Sequence, residues 1–246
     1  MKSEENKTAD QISEVEGRAR VLVDWQLHLA AFIAFLWSTF QMWYASPLPF
    51  LFKTGVFIDV PARGIHLCFA LLLSFILFPL LKSRRHRPVH FTDVILALGG
   101  GYCALYLYLE YVALVDRNGV LLDIPFSFYS FNFSFPFELL LGAFGICVLL
   151  EATRRAIGLP LVIVAIVFLL YSFFGQSMPD VIAHRGLSFS RLIGYQWLGG
   201  EAIFGIPISV SVSFVFLFVL FGSMLDQAGG GRYFLNLSVA LVGRFR

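Results

Sequence analysis

Residues 202–225 read AIFGIPISVSVSFVFLFVLFGSML, a stretch of 24 residues without a charged side chain. A helix needs about 20 apolar residues to cross the ~30 Å hydrocarbon core of a bilayer. Five further apolar runs approach this length: Trp25–Ala45, Gly64–Leu81, Val94–Leu109, Leu139–Leu150 extended upstream through Phe133–Phe137, and Leu159–Ser177. Unpaired backbone groups are costly in lipid, and these runs lack the alternation of barrel strands. The sequence therefore predicts an all-α integral membrane protein with about six transmembrane helices.

The composition agrees with this prediction. The chain of 246 residues is 58% hydrophobic and only 14% charged, whereas soluble domains have roughly a quarter of their residues charged. A net charge of +2, with its basic residues spread over loops, indicates the lipid bilayer and no nucleic acid as a partner. The three cysteines lie in separate apolar runs without C-x-x-C spacing, which is typical of small packing residues.

The distribution of basic residues predicts the orientation. When the 18 Lys and Arg are assigned to alternate sides of six spans, thirteen fall on one side and five on the other. The positive-inside rule then places the N-terminus, with a retained polar tail at residues 1–24, in the cytoplasm. An even number of spans returns residue 246 to the same side.

Three connecting segments have distinct compositions. Residues 82–90 (KSRRHRPVH) form a basic turn that serves either as an orientation signal or as a contact for anionic lipid. Residues 110–136 are aromatic and interrupted by prolines, and we expect them to lie in the membrane interface or to dock a partner. Residues 178–201 predict a short helix in the membrane plane on the external side, broken at glycines.

No catalytic, cofactor-binding or metal-binding residue is predicted. Ionisable groups such as Asp93 and Glu138 fall at or near the ends of the spans, where headgroups or loop backbone can reach them. Pro88 argues against a metal-binding helical pair of His86 and His90. The chain lacks paired carboxylates and nucleophile–base pairs, so we predict that it is not an enzyme.

Two local features predict how the helices end and pack. Glu151 with Arg154 or Arg155 has the spacing of an ion pair on one helical face at the end of the fourth span. The glycines at 99–101, 142 and 145 are expected to allow close helix packing. Those at 229–231 predict a helix stop and a flexible joint.

Two long stretches resemble a known transporter family. They are LLEATRRAIGLPLVIVAIVFLLYSFFGQSMPDVIAHRG (149–186) and EAIFGIPISVSVSFVFLFVLFGSMLDQAGGGRYFLNLSVALVGR (201–244). They are similar to the fused permeases of tripartite ATP-independent periplasmic (TRAP) transporters, in particular the subfamily paired with TAXI-type binding proteins. Arg63-Gly-Ile-His66 and Asp93 add looser matches earlier in the chain.

The resemblance implies a domain organisation and a function. Residues 25–155 would form a four-helix small-permease-like module, and residues 156–246 the start of the large transport module, with 178–201 as an arm helix. It also implies sodium-driven uptake of an organic acid, delivered by a periplasmic solute-binding protein, at the bacterial inner membrane. Elevator-like movement of the rest of the large permease module against a static scaffold would carry the substrate.

The chain departs from the family pattern at its end. Hairpins that hold ion and substrate in the family follow a segment like 242–244, and this sequence stops at residue 246, so we expect a scaffold that is incomplete for transport by itself. The scaffold and joint candidates at matched positions are Glu151, Arg154, Arg155, Gly205, Pro207, Gly222 and Gly229. The alternative is a stand-alone structural or assembly membrane protein without transport activity.

Overall fold

The computed structural model describes residues 19–23, 25–81, 86–117, 120–128 and 131–242. Most of the predicted N-terminal tail and part of the basic turn at 82–90 lie outside these ranges. The helices are α1 Trp25–Ala45, α2 Leu48–Phe52, α3 Asp59–Leu77, α4 Phe91–Leu109, α5 Tyr111–Asp116, α6 Phe137–Ala156, α7 Leu159–Phe173, α8 Phe189–Ile193, α9 Ile206–Val210, α10 Phe216–Gln227 and α11 Gly230–Val242. The π-helical turns Gly194–Leu198 and Ser211–Val215 extend α8 and join α9 to α10.

The predicted all-α membrane fold is confirmed. Within the described part of the chain, three helices are long and apolar enough to cross a membrane: α3, α4 and the continuous helix Ile206–Gln227. The other three predicted spans are helical but less clear. Helix α7 has only 15 residues, α1 carries Gln26 and Gln41, and α6 carries Glu138 and Glu151 with two arginines.

The fourth predicted span starts later than expected. Its proposed extension through Phe133 is wrong, because α6 begins at Phe137 and Phe133 lies in a strand. Proline disfavours the helical conformation in the residue before it and fits the start of a helix. Pro136 therefore marks the boundary between the strand and α6.

The aromatic segment before α6 forms a β-hairpin that was not predicted. Strands β1 Ile124–Phe128 and β2 Phe131–Phe135 pair antiparallel, with Ile124 opposite Phe135 and Phe128 opposite Phe131. The short alternation of Phe with Ser or Asn in these strands is a strand signal. The two prolines of the segment led us to exclude a membrane span there, and we expected it in the membrane interface or against a partner without predicting strands.

The last predicted span is shifted and is followed by another helix. It begins at Ile206 rather than Ala202, with Pro207 in its first turn, and ends at Gln227. Gly229 has a φ of 81°, a left-handed conformation that glycine adopts without strain. The prediction of a stop that includes Gly230 and Gly231 is wrong, since both belong to α11.

The core lies where α3, α4 and α6 pack together. Its fully or nearly fully buried side chains include Leu71, Phe75, Ala104, Leu107 and Val148. Glycines permit this packing, as predicted: a Cβ at Gly64 would lie 2.7 Å from the carbonyl oxygen of Ala104, and Gly100 faces Leu71 and Val148. The close backbone approach of α3 and α4 holds the buried polar groups described next in fixed positions.

Candidate functional site

Five charged residues form an ion network at one end of the bundle. Asp93, in the first turn of α4, accepts hydrogen bonds from Arg20 at 2.6 Å and from Arg155 at 2.7 Å, one on each carboxylate oxygen. Glu151 accepts bonds from Arg154 and Arg155. The predicted ion pair at the end of α6 is therefore present, but it belongs to a larger network that joins α4, α6 and the segment before α1.

The inner part of this network is almost completely buried. The side chains of Arg20 and Arg155 are each 1% exposed and that of Asp93 is 3% exposed. The guanidinium of Arg155 also lies over the ring of Phe75, 4.8 Å from its centroid. The expectation that Asp93 reaches headgroups or loop backbone is wrong, because both of its oxygens are held by arginines.

A second ionic cluster, which we call the Glu138 cluster, stands at the other end of α4 and α6. Glu138 has a fully buried side chain and accepts hydrogen bonds from the Tyr106 hydroxyl at 2.8 Å, from Arg117 at 2.6 Å and from the backbone N–H of Leu122 at 2.6 Å. The bond to Glu138 raises the pKa of Arg117. Glu138 thus holds the segment after α5 against the bundle, and its bond to Leu122 is the contact with loop backbone that we expected.

The two clusters hold α4 and α6 at opposite ends. Asp93 and Tyr106 are thirteen residues apart on α4, which corresponds to about 20 Å along a helix. Glu138 lies in the first turn of α6 and Arg155 in its last turn, so α6 runs antiparallel to α4. Buried, hydrogen-bonded charges therefore hold helices α4 and α6 together near both of their ends.

Side chains from α1 and α3 hold the polypeptide at 204–212, and we call this contact the docking seam. Gln41, 1% exposed, donates to the carbonyl of Val212 at 2.8 Å. Arg63 donates to the carbonyl of Phe204 at 2.8 Å. Val212 lies in the π-helical turn Ser211–Val215, and such turns are frequently found at functional sites.

His66 completes the docking seam. Its Nδ1 accepts a hydrogen bond from the indole N–H of Trp37 at 3.1 Å, and its Nε2 lies 3.1 Å from the hydroxyl of Ser211. An indole nitrogen can only donate, so Nδ1 carries no proton and the ring is neutral. His66 therefore donates from Nε2 to Ser211, which links α1, α3 and the π-helical turn in one chain of hydrogen bonds.

Trp197 docks the predicted arm onto the same bundle. The described helical part of the arm runs from Phe189 to Leu198. The Trp197 side chain is fully buried, and its indole N–H donates to the carbonyl of Cys103 at 3.0 Å. It contacts Gly142 and Gly145 of α6 and the ring of Phe204. The sequence did not predict the contact between Trp197 and Cys103. A tryptophan that lies in the membrane interface on an exposed arm would have the same neighbouring residues in sequence.

The seven scaffold and joint candidates do not form one site. Glu151, Arg154 and Arg155 belong to the ion network. Gly205 and Pro207 flank the start of α9 beside the docking seam, and a Cβ at Gly205 would overlap the carbonyl group of Glu201. Gly222 has no atom within 4 Å of a Cβ position, and Gly229 separates α10 from α11. Their roles as scaffold and joint remain predictions.

Gly145 offers a direct test of arm docking. A Cβ there would lie under 3.0 Å from three ring atoms of Trp197, so we expect Gly145→Ala to destabilise the fold by about 1–3 kcal/mol through overpacking. Gly222→Ala is the matched control, because its Cβ would meet no atom and alanine favours a helix by about 1 kcal/mol. The midpoint of unfolding by sodium dodecyl sulfate in mixed micelles measures the stability of both variants. Equal midpoints for the two variants would contradict the packing described for Trp197.

Among the described residues, no group of three or more His, Cys, Asp and Glu side chains is placed to hold a metal ion. Each side chain named in the ion network, the Glu138 cluster and the docking seam makes at least one hydrogen bond to another such side chain or to the backbone. Their arrangement is suited to fixing helices relative to one another.

The comparison with protein families identifies the second part of the chain. The family described as the tripartite ATP-independent periplasmic transporter, DctM component, matches residues 144–246. We call this matched segment, residues 144–246, the DctM region. No curated protein and no solved structure matches the chain. The matched region contains the end of α6, α7, the arm and the helix Ile206–Gln227.

This match supports a membrane component of a TRAP-type transporter, and the matched family is one of transporter components rather than enzymes. The DctM region carries one side of both major contacts described above: Trp197 of the arm, and Val212 of the docking seam. Their partners, Cys103 and Gln41, precede the matched residues. The contacts therefore join the DctM region to the preceding helices of the same chain.

Proposed function

We propose that helices α1–α6, together with the arm and the helix Ile206–Gln227, form the static scaffold of a TRAP-type secondary transporter. This transporter would take up an organic acid with sodium across the bacterial inner membrane, and the N-terminus would be cytoplasmic. Its partners would be a periplasmic solute-binding protein and the rest of the large permease module. Residues 25–155 would correspond to the small-permease-like module and 156–246 to the start of the large one.

One observation carries the scaffold role. The DctM region is joined to the preceding helices by buried hydrogen bonds at two separate places, Trp197 to Cys103 and Gln41 to Val212. Breaking a buried hydrogen bond without replacing it costs about 1–3 kcal/mol. A helix that slid through the membrane in each cycle would have to break the docking seam every time. The seam thus favours a helix that stays with the scaffold while other parts move.

A crosslink across the docking seam tests this proposal. In a background where Cys68, Cys103 and Cys147 are replaced by alanine, cysteines at the contacting positions 41 and 212 can be joined as a disulfide by a small oxidant. The measurement is sodium-dependent uptake of organic acids by the complete transporter with its binding protein in proteoliposomes. We expect the uptake rate to be the same before and after crosslinking, because the two positions do not separate during transport.

Two results would count against it. Loss of uptake on crosslinking that is restored when the crosslink is cleaved by a reducing agent would place the helix Ile206–Gln227 in the moving part. Uptake that needs neither sodium nor this chain would favour the alternative, a structural or assembly protein without transport activity. A single-cysteine variant at position 41, treated with the same reagent, controls for modification alone.

A further inference from the structure

A groove of about 820 Å³ lies between α5 and the arm, away from the two ionic clusters and the docking seam. Most of its lining is apolar and includes the side chains of Val60, Leu114 and Leu198. Binding sites for small molecules typically enclose roughly 300–1,000 Å³ and combine an apolar lining with a few polar groups. The groove therefore has the size and the composition of a binding site.

Arg191 is the one charged side chain among the described residues that line the groove. Its backbone N–H bonds the hydroxyl of Ser188, whereas the ion pairs found in the described ranges all use other arginines. The carboxylates of Asp116 and Asp123, on the α5 side, are exposed and do not line the groove. The guanidinium of Arg191 thus has donors available for an anionic group of a ligand.

The groove lies at the level where membrane-spanning helices end. Val60 is in the first turn of α3, and Tyr111 begins α5 two residues after α4 ends at Leu109. Helices α3 and α4 are both long and apolar enough to cross a membrane, and the ends of such helices meet the headgroup region. Tyr111 and the exposed Tyr195 line the groove, and tyrosine is enriched at this depth. An apolar lining and a cation therefore stand where a phospholipid has its acyl chains and its phosphate.

We propose that this groove binds a membrane phospholipid, with the phosphate on the guanidinium of Arg191 and an acyl chain along the apolar lining. Arginine binds phosphate oxygens through two parallel hydrogen bonds. The hydroxyls of Ser190 and Tyr195 on the same lining are further donors. The apolar lining favours a ligand with a hydrocarbon chain over free phosphate, which would bury none of it. The site does not rest on the proposed transport role.

The test is lipid binding by the purified full chain in a neutral detergent, measured by native mass spectrometry. Phosphatidylglycerol is compared with a diacylglycerol that has the same acyl chains and lacks the phosphate. We expect phosphatidylglycerol to bind about tenfold more tightly, the effect of one charge-assisted hydrogen bond. Millimolar inorganic phosphate should leave its binding unchanged, and displacement would identify free phosphate as the ligand and overturn the assignment to a phospholipid.

Two arginine variants test the place of the phosphate. Arg191→Gln removes the cation and is expected to abolish the tenfold preference without changing the unfolding midpoint, because the side chain is exposed. Arg185→Gln is the matched control, since Arg185 is an exposed arginine of the same arm that does not line the groove. A preference that survives Arg191→Gln, or is lost equally in Arg185→Gln, would overturn the proposal.

Two variants of Gly194 test the place of the acyl chain. Gly194 lines the groove, and a Cβ there would lie 3.5 Å from Leu121, an ordinary contact. The ring in Gly194→Phe would occupy the space of the acyl chain, so this variant is expected to bind both lipids more weakly, whereas Gly194→Ala should bind them like the unaltered chain. Unchanged lipid binding by a folded Gly194→Phe variant would show that the groove is not the site.

Discussion

Asp93→Asn is expected to destabilise the folded bundle by about 3–5 kcal/mol, because it removes one partner from buried ion pairs and leaves the other partner charged. Here the effect falls on two arginines at once, Arg20 and Arg155, each 1% exposed. Asparagine keeps the shape of the side chain but offers one acceptor oxygen and no charge. The shift of the unfolding midpoint in mixed micelles of detergent and sodium dodecyl sulfate measures the change.

Asp180→Asn provides the control for Asp93. Asp180 lies in the exposed loop after α7, and surface substitutions usually change stability by no more than about 0.5 kcal/mol. If both asparagine variants unfolded at the same detergent composition, the burial and pairing of Asp93 would be disproved.

Glu138→Gln is expected to have the second large effect, also about 3–5 kcal/mol. Its carboxylate is fully buried and accepts three hydrogen bonds, from Tyr106, Arg117 and the backbone N–H of Leu122. Glutamine has a single acceptor oxygen, and its amide group would place N–H donors against donors. The segment after α5 would then lose its attachment to α6, which faster amide hydrogen exchange around Leu122 should reveal.

A double-mutant cycle separates the charge from the packing. Removing both partners of a buried ion pair costs less than removing one, so Glu138→Gln combined with Arg117→Leu should be more stable than Glu138→Gln alone. Glu110→Gln, an exposed position beside α5, is the matched control and should behave like the unaltered protein. Additive effects of the two changes in the cycle would show that Arg117 and Glu138 are not coupled.

Local sequence patterns predicted most of the helices. The first span, Trp25–Ala45, was predicted with the bounds that the structure has, because its apolar composition is interrupted clearly on both sides. The third span differs by three residues at its start, where His90 caps the helix by accepting from the N–H of Thr92. The fourth span was predicted to extend upstream past Pro136, although the backbone restriction of proline marks the start of the helix there.

The buried charges could not be paired from a single sequence. Asp93 and Glu138 stand at the ends of spans, where most charged residues meet water or headgroups. The partners of Asp93, Arg20 and Arg155, are 73 and 62 positions away, and the partner Arg117 of Glu138 is 21 positions away. No local period connects such distant residues. Within the ion network, the pair of Glu151 with Arg154 and Arg155 was predicted, because its members share one turn of a helix.

The docking seam and the contact of Trp197 depend largely on the fold of the accepting segments, and the bond of His66 to the Ser211 hydroxyl is the exception. Gln41, Arg63 and Trp197 all donate to main-chain carbonyls, those of Val212, Phe204 and Cys103. A carbonyl is present whatever side chain the position carries. These three hydrogen bonds therefore place no demand of their own on the side chains at the accepting positions, and selection for the bonds acts on the donors. Correlated substitution between partners, the usual record of contact in sequence families, would leave little trace of this joint.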